Sequence, residues 1–289
     1  MKKDGLKIVL SGDTGFCSGV RRAIKLAVGV SNKKKGGVYT LGPIIHNPQE
    51  VKRLEERGIR VVKDIAGIRK GTIVIRSHGL AKPVVERIRK KGLSMADATC
   101  PFVKRAQRIA QELQDEGYHL VIAGERKHPE VRAIISFLKP EITVVQNVAE
   151  ADRIPAMKKI GIISQTTQSF TVFRDIVGIL LAKSKEIKIC DTICDQTRRR
   201  QEKCASLAEK ADCMIIIGGK NSANTSRLYE MCKKHVKSYH IETAGEIRKN
   251  WFRGKRLVGI ATGTSTPDWV IREVIEKIRS HKNSWKAGE

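Results

Sequence analysis

The stretches CSGVRRAIKLA (residues 17–27), CPFVKRAQRIA (100–110) and CDQTRRRQEKC (194–204) share one pattern. A cysteine is followed by two variable positions, then Val or Thr, then Arg or Lys, then Arg. Each leads into apolar positions three or four apart, the period of a helix with one buried face. The cysteines are 83 and 94 residues apart, which is room for a small α/β unit.

The repeat extends outward from the cysteines. A second station is VYTLGPIIHNPQEVKRL (38–54), LVIAGERKHPEVRAII (120–135) and MIIIGGKNSANTSRLYEM (214–231), each an apolar strand, a glycine and a polar loop opening a helix. It places His46, His128 and Ser222 at matched positions. A third station, IVIRSHGLAKPVVERI (73–88), IGIISQTTQSFTVFRDI (160–176) and GIATGTSTPDWVIREVI (259–275), repeats strand, loop and helix. Such alternation predicts parallel sheets covered by helices. Sheets of this kind bind ligands beyond the carboxyl ends of their strands. The expected fold is α/β, with three similar small parallel-sheet units, 1–99, 100–190 and 191–289, around a pseudo-threefold axis with the polar loops aimed at its centre. No Pro/Gly-rich linker separates the units.

Seven cysteines occur without a secretory signal in a chain of 289 residues, which argues against a disulfide framework. The N-terminus MKKDGLKIVLSGDTG turns polar too soon for a signal peptide. No apolar run approaches the ~18 residues of a bilayer span. A cytoplasmic protein with no membrane association is expected. Lysine and arginine outnumber acidic residues 56 to 30, a net charge of +26, with clusters at Lys33 to Lys35 and Arg198 to Arg200. This surface attracts polyanions or acidic proteins. Aromatics are only 4% and the charge is dispersed, which disfavours nucleic acid.

The positive end of a helix favours thiolate, the form that binds metal. Three thiolates meeting at one point would select zinc or an iron–sulfur cluster. Structural zinc usually takes four protein ligands in close pairs, and the chain has no C-x-x-C. Cys17, Cys100 and Cys194 therefore point to one 4Fe–4S cluster with three cysteine ligands and one open iron. Cys190 lies four residues before Cys194 and competes for the third position, but only Cys194 fits the repeat. Cys204, Cys213 and Cys232 sit among apolar residues and are expected to pack. The polar stations offer His46, His78, His128, Ser222, Asn224 and Ser265, donors suited to phosphate oxygens. By spacing alone Glu130 reads as an N-terminal dipole partner, and Thr166 and Thr167 read as loop or cap residues.

GFCSGVRRAI, GPIIHNPQEV, RSHGL, DATCPFV, HPEV, SQTT, CDQTRRRQE, KNSANTSRL and GTSTPD, in this order between about residues 8 and 275, resemble the 4-hydroxy-3-methylbut-2-enyl diphosphate reductases, the IspH/LytB family. The resemblance implies reductive dehydroxylation of an allylic diphosphate to isopentenyl and dimethylallyl diphosphate, the last step of the methylerythritol phosphate route to isoprenoids. It implies cluster ligation by Cys17, Cys100 and Cys194. It places diphosphate binding on His46, His78, His128, Ser222, Asn224 and Ser265. The proton-relay glutamate falls on Glu130, with catalytic roles for His128 and for an active-site threonine, Thr166, that also contacts substrate; Thr167 is its alternative. Ala223 stands where many members have a second serine. An acidic ferredoxin or flavodoxin is the expected electron donor. The alternatives are a basic nucleic-acid-binding protein and a cluster-based sensor.

Overall fold

The computed structural model describes residues 6–33 and 36–286; Lys34 and Lys35 of the basic cluster and residues 1–5 lie outside them. In chain order the first third forms β1 (Lys7–Leu10), α1 (Ser18–Lys33), β2 (Val38–Leu41), α2 (Pro48–Glu56), β3 (Ile59–Val62), β4 (Thr72–Ile75), α3 (Lys82–Lys90) and β5 (Ser94–Asp97). There follow α4 (Pro101–Asp115), β6 (His119–Ala123), α5 (Pro129–Ile135), β7 (Ile142–Val145), α6 (Val148–Asp152), β8 (Met157–Ser164), α7 (Phe170–Leu181) and β9 (Ser184–Ile189). The last third forms α8 (Asp195–Ala208), β10 (Cys213–Ile217), α9 (Ala223–Lys233), β11 (Ser238–Ile241), β12 (Leu257–Thr262) and α10 (Asp268–Lys286).

The strands make three four-stranded sheets, ordered β3-β2-β4-β5, β7-β6-β8-β9 and β11-β10-β12-β1, with every pairing parallel. This is the α/β architecture expected from the repeat. The two middle strands of each sheet are the second-station and third-station strands. β4 and β10 are buried along their whole length, as strands with both faces covered must be. The edge strand β9, SKEIKI, stays half-buried or exposed and carries its lysines outward. One pairing could not be read from the repeat. β1 lies within the 1–99 segment but runs beside β12, from Lys7 opposite Leu257 to Leu10 opposite Ile260. The third sheet thus takes its fourth strand from the N-terminus.

Helix faces follow the apolar period. Val103, Ala106, Ala110 and Leu113 form the buried stripe of α4, and Ala106, Ala110 and Leu113 pack with Leu120 and Ile122 of β6 and Ile163 of β8. A fully buried side chain such as Ile122 contributes roughly 1.5–3 kcal/mol. Cys204 and Cys232 pack with Met214, Ile216 and Leu228, and Cys213 packs in the neighbouring cluster with Ile215 and Val258. Burial pushes the Cys213 thiol up to about 11. These three cysteines are core residues, as their apolar surroundings in the sequence suggest.

The chain divides into two compact units. One comprises Met1–Ser18, His46–Glu50 and Asp195–Glu289 and holds the sheet completed by β1; the other comprises Gly19–Ile45 and Val51–Cys194 and holds the other two sheets. No helix among the described residues is long and apolar enough to cross a membrane.

Candidate active site

The polar residues singled out by the repeat lie just past strand ends, except Asn224, the second residue of α9. His46, His128 and Ser222 stand five residues past the ends of β2, β6 and β10. His78 and Ser265 stand three past the ends of β4 and β12, and Thr166 two past the end of β8. The three cysteines lie directly before α1, α4 and α8 and are half-buried, whereas Cys204, Cys213 and Cys232 are fully buried.

Each of the three cysteines is fastened in the same way. The Cys17 amide donates to the Thr264 carbonyl at 3.0 Å, the Cys100 amide to Ser77 at 2.9 Å and the Cys194 amide to Thr166 at 2.9 Å. In every case the acceptor is two residues past the end of the third-station strand. Cys190 is held differently. Its amide donates to Ile162 within the sheet, its side chain packs against the α4 and β6 cluster, and burial raises its thiol above the ordinary range.

In the two-sheet unit these ties continue into a connected network. The Thr166 amide and hydroxyl donate to the two carboxylate oxygens of Glu130, at 2.6 and 2.7 Å. Glu130 is 1% exposed, so the pair is shut off from bulk water. The Glu130 amide donates to His128 Nδ1 at 3.2 Å, making His128 the cap of α5. A neutral His128 then carries its proton on Nε2. The His128 ring meets the His78 ring edge-on, centroids 5.6 Å apart. His78 follows Ser77, which receives the Cys100 amide. Cys194, Thr166, Glu130, His128, His78 and Cys100 thus form one chain of contacts. The Thr167 hydroxyl instead accepts from Gln165 Nε2.

The other unit assembles the remaining residues. Ser265, next to Thr264, donates its hydroxyl to the His46 carbonyl at 3.0 Å. A Cβ on Gly219 would lie 2.6 Å from that same carbonyl, so only glycine allows the approach. The Gly219 carbonyl accepts the Ser222 amide at 3.0 Å, and the Ser222 hydroxyl caps α9. His240 Nε2 donates to the Gly218 carbonyl at 3.0 Å and steadies this loop, while burial pulls its imidazole below the ordinary value. Asn224 is 3% exposed, and neither end of its amide meets a hydrogen-bond partner among the described residues. An amide orphaned in this way costs roughly 1–3 kcal/mol, and a bound polar ligand would recover it. Ala223 is half-buried at the first position of α9 and offers no hydroxyl.

Residues 8–279 match the LytB protein family. The chain belongs to the LytB family. Within that family it is similar to the 4-hydroxy-3-methylbut-2-enyl diphosphate reductase of Geobacter sulfurreducens, 47% identical over 97% of this chain and 100% of the relative. The reductase of the same name from Geobacter metallireducens is 49% identical over 95% and 97% of the two chains. A solved (E)-4-hydroxy-3-methyl-but-2-enyl diphosphate reductase, described as the terminal enzyme of the non-mevalonate pathway, is 44% identical with a TM-score of 0.68, over 95% of this chain and 99% of that one. The E-1-hydroxy-2-methyl-but-2-enyl-4-diphosphate reductase from Plasmodium falciparum is 25% identical with a TM-score of 0.89, over 94% and 87%. These LytB relatives give no support to a nucleic-acid-binding protein or a sensor.

Several residues of this LytB chain that shape the site have partners that the sequence does not display. Thr192 takes the Ser164 amide at 2.9 Å and so ties the segment before Cys194 to the end of β8. Asn47 accepts the Glu50 amide at 2.9 Å directly after His46. Arg200 and Arg22 reach loops far away in sequence.

Proposed function

We propose that this LytB-family chain is a 4-hydroxy-3-methylbut-2-enyl diphosphate reductase. It removes the allylic hydroxyl of its substrate as water, with two electrons and two protons, and releases isopentenyl and dimethylallyl diphosphate. The observation that carries this reading is the identical fastening of Cys17, Cys100 and Cys194 to the loops that hold the polar stations.

The donor set suits an iron–sulfur cluster: three soft thiols at helix starts, half-buried rather than sealed in the core. Cys17, Cys100 and Cys194 would hold a 4Fe–4S cluster. When bound, it supplies electrons and, with three protein ligands, an iron able to act as a Lewis acid. Glu130 takes up one of the two protons the reaction consumes and passes it to the departing hydroxyl, because hydroxide leaves poorly without a proton. Thr166 holds the carboxylate by both of its oxygens and fixes its direction. His128 offers its Nε2–H to substrate oxygen while its Nδ1 is engaged by the Glu130 amide. His46, His78, Ser222, Asn224 and Ser265 bind the diphosphate and anchor the allyl carbons. Turnover of the allylic diphosphate by anaerobic protein with a small artificial reductant tests the activity; no product after cluster reconstitution overturns it.

Asn224 separates binding from folding. Replacing it with Leu removes a buried amide that lacks partners in the ligand-free protein. Its Tm should hold or rise, while KM should increase by about 10-fold or more, the worth of one good polar contact. A Tm loss with unchanged KM would make Asn224 a folding residue.

The electron donor is an acidic ferredoxin or flavodoxin, and the supporting feature is the +26 charge. Complementary charge raises encounter rates and is screened within about 8 Å at physiological salt. Added salt should slow carrier-dependent reduction far more than reduction by a small neutral donor. Equal slowing would detach the charge from carrier docking. The protein is cytoplasmic on this reading, in keeping with the reducing surroundings its thiols need.

A further inference from the structure

Arg200 stands on the buried stripe of α8 and is only 5% exposed. A guanidinium is costly to bury unless its N–H groups are taken up. Nη2 donates to the Gly15 carbonyl at 2.7 Å; Nη1 donates to the Thr262 carbonyl at 3.1 Å and lies 3.3 Å from both Thr262 Oγ1 and the Gly263 carbonyl. Gly15 donates its own amide to Thr262 Oγ1 at 3.1 Å. Two residues further along each strand of this junction are Cys17 and Thr264, joined by the amide tie described above. Gly15 has little room to move: its φ is +75°, and a Cβ there would lie 2.1 Å from Asp268 Oδ1. One planar side chain therefore fastens the loop before Cys17 to the loop before Ser265.

The device recurs. Arg22, on α1, donates from Nη1 to the Thr99 carbonyl at 3.0 Å and from Nη2 to the Asp97 carbonyl at 3.4 Å, in the segment that leads into Cys100. Arginines on two of the cysteine-bearing helices thus each grip the backbone before another helix's cysteine.

We propose that Arg200 is a positioning residue that sets where Cys17 and Ser265 stand relative to each other. The consequence for iron rests on the reading of Cys17 as a cluster ligand; the backbone tie does not. Two separated acceptors need the rigid fork of arginine, and a lysine at this position offers a single point charge. Supports of this kind behind a metal ligand typically change metal affinity or activity 10- to 100-fold.

Hydrogen exchange on the iron-free protein tests the tie. In Arg200→Lys, exchange should rise about 10-fold or more at residues 13–18 and 262–266, the cost of losing a charged hydrogen bond, and stay unchanged in β10. Arg199→Gln is the control, since Arg199 is exposed and pairs with Asp13 at 3.8 Å. After reconstitution, iron release to a chelator should be on the order of 10-fold faster in Arg200→Lys, faster still in Arg200→Gln, and unchanged in the control. If the Gln variant does not fold, the Lys variant decides alone. No rise at 13–18 and 262–266, or an equal rise throughout the unit, overturns the proposal. A wild-type protein that binds no iron would sink the cluster reading, and the exchange result would still decide the role of Arg200.

Discussion

Glu130→Gln protein is expected to keep its fold and its iron and to lose turnover by about a hundredfold to ten-thousandfold, the usual worth of a general acid. The carboxylate is buried and accepts both the amide and the hydroxyl of Thr166. Glutamine has the same shape and still accepts the amide proton through its carbonyl. The Thr166 hydroxyl can turn and accept from the new NH2 group, so the local packing survives. What is lost is a proton that can be handed to a departing hydroxide. Equal iron content and equal Tm beside a collapse in turnover is the expected pattern. Turnover within a few-fold of the wild type would remove Glu130 from the chemistry.

The second large effect separates two cysteines four residues apart. Cys194→Ser should abolish stable cluster binding, whereas Cys190→Ser should retain it and cost only a modest amount of stability. Cys194 is half-buried at the start of α8, and its amide is held by Thr166, the same residue that binds Glu130. The Cys190 thiol is packed against the α4 and β6 cluster, and that burial disfavours the thiolate a metal needs. Iron and sulfide content of the two variants, prepared side by side without oxygen, decides the assignment. Cluster loss in Cys190→Ser with retention in Cys194→Ser would reverse it.

The pattern of the sequence reached far because the fold repeats itself. The spacing from strand to glycine to polar loop is a local property, and it put His46, His128 and Ser222 at one station, five residues past three strand ends. What local spacing cannot carry is the identity of a distant partner. β1 reads as the start of the first unit, yet its neighbour is β12, almost the whole chain away. Glu130 looks like any acidic residue in a first helical turn, and only the fold brings Thr166 to its carboxylate. Thr166 and Thr167 are adjacent and chemically alike; which of them faces Glu130 depends on how the chain leaves β8. Arg200 sits in a run of three arginines, and only the fold shows that it is the buried one and that Gly15 is its acceptor. Asn224 is a further case: its importance lies in what its amide lacks, which no sequence displays.

The most direct test of the central claim, one cluster held by Cys17, Cys100 and Cys194, is the iron, acid-labile sulfide and zinc content of protein purified without oxygen. A brown protein with about four iron and about four sulfide per chain and no stoichiometric zinc is predicted. A colourless protein carrying stoichiometric zinc, with no sulfide even after reconstitution, would contradict it.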